Sequence, residues 1–168
     1  MTAPVLQFRV AGIPVPQGSM SAFVRGSRAI VTDQKGSKLK PWREAIRSTA
    51  VDSAGPNWAP LDCPVRVDLW FAMPKPASTP KTRRTWPMRQ PDLDKLARAC
   101  LDALTQAGVL ADDARVVELR AVKDWPEHVQ QMSPGVVVRV WRVDEALPPP
   151  TTGQIPLLAE WIPGGSTA

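Results

Sequence analysis

Val65-Arg66-Val67-Asp68-Leu69-Trp70-Phe71-Ala72-Met73 alternates an apolar series at the odd positions with Arg66, Asp68, Trp70 and Ala72 between them. That period of two belongs to a strand with one face in a core. Pro74 and Pro76 end it. Further along, Leu93, Leu96, Ala97, Cys100, Leu101 and Leu104 recur at helical spacing and predict a helix over 93–106. Lys95, Arg98 and Asp102 take its opposite side. One period of two and one of 3.6, in succession, place the chain in the mixed α/β (α+β) class.

Working outward, Leu6, Phe8 and Val10 alternate with Gln7 and Arg9 and predict a strand over 5–10. A Gly/Pro loop follows, from Ala11 to Gly18. Residues 22–25 and 28–32 read as a hairpin around Gly26-Ser27, with Arg25 and Arg28 on its rim. Pro41 opens a second helical pattern, carried by Trp42, Ala45, Ile46, Thr49 and Ala50. Residues 115–123 read as a strand with Val117, Leu119 and Ala121 on one face, and 136–143 as another. The expected body is a small mixed sheet of four or more strands packed with two principal helices, over 1–143. Residues 144–168 contain Pro148-Pro149-Pro150, Gly164-Gly165 and no basic residue. They read as a flexible acidic tail whose Leu157, Leu158, Trp161 and Ile162 could dock on the body.

A chain of 168 residues fits one domain. Its 19 prolines argue against coiled coils and long bundles. No apolar run reaches the roughly 18 residues of a membrane span, so no membrane role is expected. Met1-Thr2-Ala3-Pro4 lacks the basic patch and apolar stretch of a secretory signal. Cys63 and Cys100 are far apart and His128 is the lone histidine, so thiolate zinc sites and His-rich metal sites are not expected. These features point to the cytoplasm, with reduced thiols. The net charge of +5 is uneven: residues 1–50 hold eight basic and two acidic side chains, whereas 91–143 hold seven and eight. A basic first half suits a polyanion, and also suits mere solubility. Lys75, Lys81, Arg83, Arg84 and Arg89 lie in a Pro/Thr-rich, aperiodic stretch that reads as an exposed, mobile basic loop.

The chemistry-bearing residues cluster after that loop. Asp92, Asp94, Asp102, Asp112 and Asp113 fall within 22 residues. Asp92 and Asp94 bracket Leu93 where an extended segment meets the helix, so both carboxylates can point the same way. The helix then carries the chain about 18 Å away. Convergence of Asp113 on Asp92 therefore needs a returning segment or a neighbouring subunit. Carboxylates without histidine suit a hard divalent ion that activates water on a phosphodiester. The same residues also suit helix capping and a turn at Asp112-Asp113. Asp94, Arg98 and Asp102 are successive i, i+4 neighbours, which allows a surface ion-pair ladder or an Arg98 that holds a phosphate. His128 sits in a polar loop and supports no triad, and no Gly-Lys-Ser/Thr ends the Gly/Pro loop, so a P-loop is excluded. The tryptophans are core by default, with Trp42, Trp70 and Trp86 as candidates for base stacking.

Arg89-Gln90-Pro91-Asp92-Leu93-Asp94-Lys95-Leu96-Ala97-Arg98-Ala99-Cys100-Leu101-Asp102-Ala103-Leu104, continuing through Gly108-Val109-Leu110 and Asp112-Asp113-Ala114-Arg115, resembles the signature of the RusA family of Holliday junction resolvases, often carried by phages and prophages. Phe8-x-Val10-x-Gly12-x-Pro14-x-Pro16-Gln17-Gly18 and Phe71-x-Met73-Pro74 are similar to its opening loop and central strand. The resemblance covers roughly 5–143. It implies a RusA-like fold and a homodimeric, Mg²⁺-dependent endonuclease, with Mn²⁺ as a possible substitute, that cuts branched DNA at four-way junctions. Asp92, Asp94 and Asp113 match its metal-binding catalytic aspartates, with Asp112 as the uncertain neighbour. Arg98 stands where a catalytic lysine is common and Lys95 where asparagine is common. Lys123 matches a usual lysine and, with Lys75, Lys81, Arg83, Arg84, Arg89 and Lys95, is expected to contact nucleic acid. The alternatives are a non-catalytic DNA-binding dimer of the same fold, or an interaction protein with a capped acidic helix.

Overall fold

A computed structural model describes residues 3–18, 21–25, 28–32, 36–80, 82–129 and 133–143. Lys81 and the 144–168 tail lie outside the described residues. Six strands and two helices follow one another: β1 (Leu6–Ala11), β2 (Ser21–Arg25), β3 (Arg28–Thr32), α1 (Gly36–Ala54), β4 (Val65–Ala72), α2 (Leu93–Gln106), β5 (Val116–Asp124) and β6 (Gly135–Arg142). β2 and β3 form the expected hairpin, apart from a four-stranded sheet in the order β1-β6-β4-β5.

β6 runs antiparallel to both β1 and β4, while β4 and β5 are parallel. A parallel pair cannot be joined by a tight turn and needs a crossover. The chain from loop 73–92 through α2 to the short 3₁₀ turn Asp113–Arg115 supplies it. The alternation read from the sequence sets the two faces. Leu6, Phe8 and Val10, Val65, Val67, Leu69 and Phe71, and Val136, Val138 and Val140 are buried under the helices. Trp42, Ile46 and Ala50 of α1, and Leu96, Cys100, Ala103 and Leu104 of α2, close that core. Burial pushes the Cys100 thiol well above its ordinary range, so it behaves as a small apolar side chain. Among the described residues the other face carries no helix, and Arg66, Asp68, Trp70, Arg139 and Trp141 lie on it.

One element departs from the sequence reading. α1 starts at Gly36, so Pro41 sits inside it rather than at its start. Pro41 forfeits only the bond to residue 37, in the second turn, while Trp42, Ile46 and Ala50 bury the helix face. In β5, Val117 and Leu119, read from the sequence as lying on one face, are 58% and 47% exposed. The register shifts between Val65 and Arg66, which displaces Val117, and β5 is an edge strand.

Gly135 opens β6 opposite Ala11 and Ala72. A Cβ there would lie 2.2 Å from the Val10 carbonyl oxygen, a backbone atom that cannot rotate away. Gly135→Ala should therefore cost at least about 1–3 kcal/mol. The cost should appear as a lower denaturation midpoint, with faster amide exchange on β1 than on α2.

Candidate functional site

Asp92 occupies the N-cap position of α2, yet its side chain makes no capping hydrogen bond. Instead Asp92 Oδ2 lies 2.8 Å from Lys95 Nζ, one turn on. The Asp92 carboxylate holds the Lys95 ammonium above the ordinary lysine range, and Asp94 adds to the effect. Asp94 is exposed in the first turn and accepts no hydrogen bond among the described residues. Arg98, one turn further, is exposed and has no acidic partner among the described residues. The expected Asp94–Arg98–Asp102 ladder does not form: the described partner of Asp102 is Arg43, at 3.6 Å. Arg43 also donates to Gln17 Oε1, and the Gln17 amide donates to the Lys95 carbonyl at 2.9 Å. The Gly/Pro loop is thereby held beside the first turn of α2.

The approach to α2 is fixed by Lys123. In parallel register with Phe71, it lies on the helix side of the sheet near the end of β5. Its ammonium donates to the carbonyls of Arg89 and Pro91, each at 2.9 Å. Four of the cations expected to touch nucleic acid thus have partners within the chain. Lys123 holds two carbonyls, Lys75 pairs with Glu127, Lys95 pairs with Asp92, and Arg84 clasps Asp124 through both oxygens, one bond being 3.0 Å. Asp124 is 4% exposed and also accepts the Trp125 amide at 2.7 Å, while Trp125 Nε1 donates to Thr85. The basic loop is therefore anchored at several points rather than loose. Arg83 and Arg89 are exposed, without acidic partners among the described residues. Trp86, 53% exposed, lies 3.9 Å from the Arg84 guanidinium carbon, whereas Trp42 is core.

The second acidic pair lies elsewhere. Asp112 caps the 3₁₀ turn by accepting the Ala114 amide at 2.8 Å. Asp113 is exposed, with no side-chain partner among the described residues. Arg115 pairs with Asp62 at 2.6 Å, and Leu61 bridges Leu110, which pins this turn at the beginning of β5. Asp92 sits near the other end of β5, by Lys123. Val116 to Lys123 spans about 23 Å at strand rise, so the two acidic pairs are separated by a distance on the order of 20 Å. Among the described residues, no three His, Cys, Asp or Glu side chains come together to hold a metal ion. Asp92 and Asp94 both lie at the start of α2, and Asp113 lies at the far end of β5 from them. Sequence reasoning missed Arg43 and Asp124, because neither shows a spacing that marks a buried partner.

A family model described as Endodeoxyribonuclease RusA matches residues 12–141. The chain belongs to that family. A 35-residue stretch, 21% of this chain, is 57% identical to proteins named crossover junction endodeoxyribonuclease RusA from Escherichia coli K12, Shigella sonnei and Enterobacteria phage 82. The stretch covers 29% of each relative's length. No helix among the described residues is long and apolar enough to cross a membrane.

Replacing Lys123 with Met keeps the stem and removes both carbonyl contacts. The expected cost is about 1–2 kcal/mol. Tryptic cleavage after Arg89 and amide exchange in the first turn of α2 should both accelerate. Unchanged rates would mean that the ammonium does not hold this segment.

Proposed function

We propose that the chain is a structure-specific DNA endonuclease that resolves four-way junctions as a homodimer. The observation that carries the reading is the pair Asp92 and Asp94, exposed together at the start of α2, inside the stretch matched by the family model. Their oxygen donors suit Mg²⁺ or Mn²⁺, with Asp113 as the third ligand. When bound, the ion supplies a water of lowered pKa and charge for the phosphodiester. Arg98 then faces the phosphate and stabilises its developing charge, with Arg83 and Arg89 as further backbone contacts. Lys95 remains paired with Asp92 and keeps that carboxylate oriented. Asp113 is favoured over Asp112 because Asp112 is already engaged in capping.

Separation of Asp113 from Asp92 supports a shared site, in which the partner subunit's Asp113 completes the set. The exposed Val117 and Leu119 on edge strand β5 follow Asp113 directly and offer an apolar surface for a second copy. A two-fold dimer generates two such sites at once, matching paired cuts in a symmetric junction. In this reading the metal site and the dimer contact share one strand. The cytoplasm is the proposed compartment.

Cleavage of a labelled four-way junction with and without Mg²⁺ tests the activity. Binding without metal-dependent nicking would favour the non-catalytic DNA-binding dimer, and no binding would favour an interaction protein. Asp92→Asn, Asp94→Asn and Asp113→Asn should each reduce nicking by at least about 100-fold while binding persists. Mixing refolded Asp92→Asn and Asp113→Asn chains tests the shared site. Each mixed dimer has one site with both substitutions and one with none, so nicking should return. If nicking stays absent in confirmed mixed dimers, Asp113 acts within its own chain.

A further inference from the structure

The helix-free face of the sheet holds a groove of about 500 Å³. Strand register explains its shape. Val137 lies between Arg9 on β1 and Trp70 on β4, so a small side chain forms the floor between two large ones. Gln7 and Arg139 flank the next row, and His128 stands at the rim. Two guanidinium carbons lie over the Trp70 ring, that of Arg139 at 5.0 Å and that of Arg120 at 6.0 Å from its centroid. Arg9 donates to Ser133 Oγ at 2.8 Å. Arg139 Nε is buried without a hydrogen-bond partner among the described residues. Neither Arg9 nor Arg139 has a carboxylate partner among the described residues, because Asp68 is held by Arg66 through both oxygens, at 2.9 and 2.7 Å.

Two uncompensated guanidinium groups beside an aromatic ring favour a ligand that alternates negative charge with flat apolar rings. Arginine forks bind phosphate oxygens, and bases stack on tryptophan or on guanidinium planes. The walls stand two strand spacings apart, about 10 Å, which admits one strand and not a duplex. A second copy docked by this face would set arginine against arginine across a two-fold axis, so a polyanion fits better. We propose that this face binds an unpaired nucleic-acid strand, with phosphates on Arg9 and Arg139 and a base against the Arg–Trp stack at Trp70. The surface is on the opposite side of the sheet from Asp92 and Asp94, and it stands independently of cleavage.

The test uses the full chain, EDTA, and a fluorescent oligothymidylate of about twelve nucleotides, the scale of known single-strand sites. The double variant Arg9→Gln/Arg139→Gln should bind about 10-fold or more weakly, and its log–log salt slope should fall by about 1.4, or 0.7 per lost phosphate contact. Gln7→Glu adds negative charge to the groove from an exposed position directly opposite Arg139. It should weaken binding several-fold, and it decides the matter if the double variant misfolds. Unchanged affinity and slope in folded variants would overturn the proposal. So would an equal loss for a blunt duplex, or loss of dimer with the slope intact, which would make the face an interface between copies. Junction nicking by the unaltered chain is measured alongside. Its absence counts against the endonuclease reading alone, and loss of oligothymidylate binding in the variants supports the present inference either way.

Discussion

The parallel pairing of β4 with β5 constrains everything that follows it. Parallel strands begin at the same end of the sheet, so the connection must return the full length of the strand. α2 makes that return, about 21 Å over its 14 residues. Residues just before the helix and just after it therefore lie at opposite ends of β5. Asp92 and Asp113 are separated for this reason, although only 21 positions divide them in sequence. The same pairing leaves β5 at the edge of the sheet, with Val117 and Leu119 uncovered beside Asp113. It also puts Lys123 within reach of the carbonyls that precede Asp92.

Many positive charges in the loop before α2 serve that architecture first. Asp124 is a carboxylate at 4% exposure, where an unpaired charge would carry a heavy desolvation penalty. Arg84 and the Trp125 amide together satisfy it. Lys123 does the same for two carbonyls, which have no strand partner in that segment. A count of basic residues along 75–91 therefore overstates the field available to a polyanion. Among the described cations of this loop and the first half of α2, Arg83, Arg89 and Arg98 have no acidic partner and can respond to a phosphate without breaking an internal pair.

Legibility in the sequence followed the range of the forces involved. The strand at 65–73 and the helix at 93–106 were legible because burial against one face imposes a period on neighbouring residues. The hairpin was legible from Gly26-Ser27 between two short runs. The start of α1 was not, since Pro41 reads locally as a first-turn residue while packing of Trp42 and Ile46 extends the helix backwards. The Val117–Ala121 face was assigned correctly as apolar but not as exposed, because only strand order makes β5 an edge. Within the site, Asp92, Asp94 and Arg98 stood out through spacing on one helix. The clasp at Lys123 and the Arg43–Asp102 pair join residues 32 and 59 positions apart, and no local pattern encodes them.

The position of the acidic pair also bears on how the proposed metal and the proposed dimer would depend on each other. The start of α2 already carries the positive end of the helix dipole, which partly offsets Asp92 and Asp94. Lys95 neutralises more of the charge on Asp92. Two carboxylates so compensated attract a dication less than two bare ones in water would. A third carboxylate, brought by the proposed dimer, arrives with no cation committed to it, because Arg115 beside Asp113 is engaged by Asp62. Its charge therefore adds fully to the site. In that arrangement metal binding and subunit association reinforce one another, as two ligands that favour the same state must. Under that proposal, an isolated chain would hold the ion poorly for electrostatic reasons, even before the missing ligand is counted.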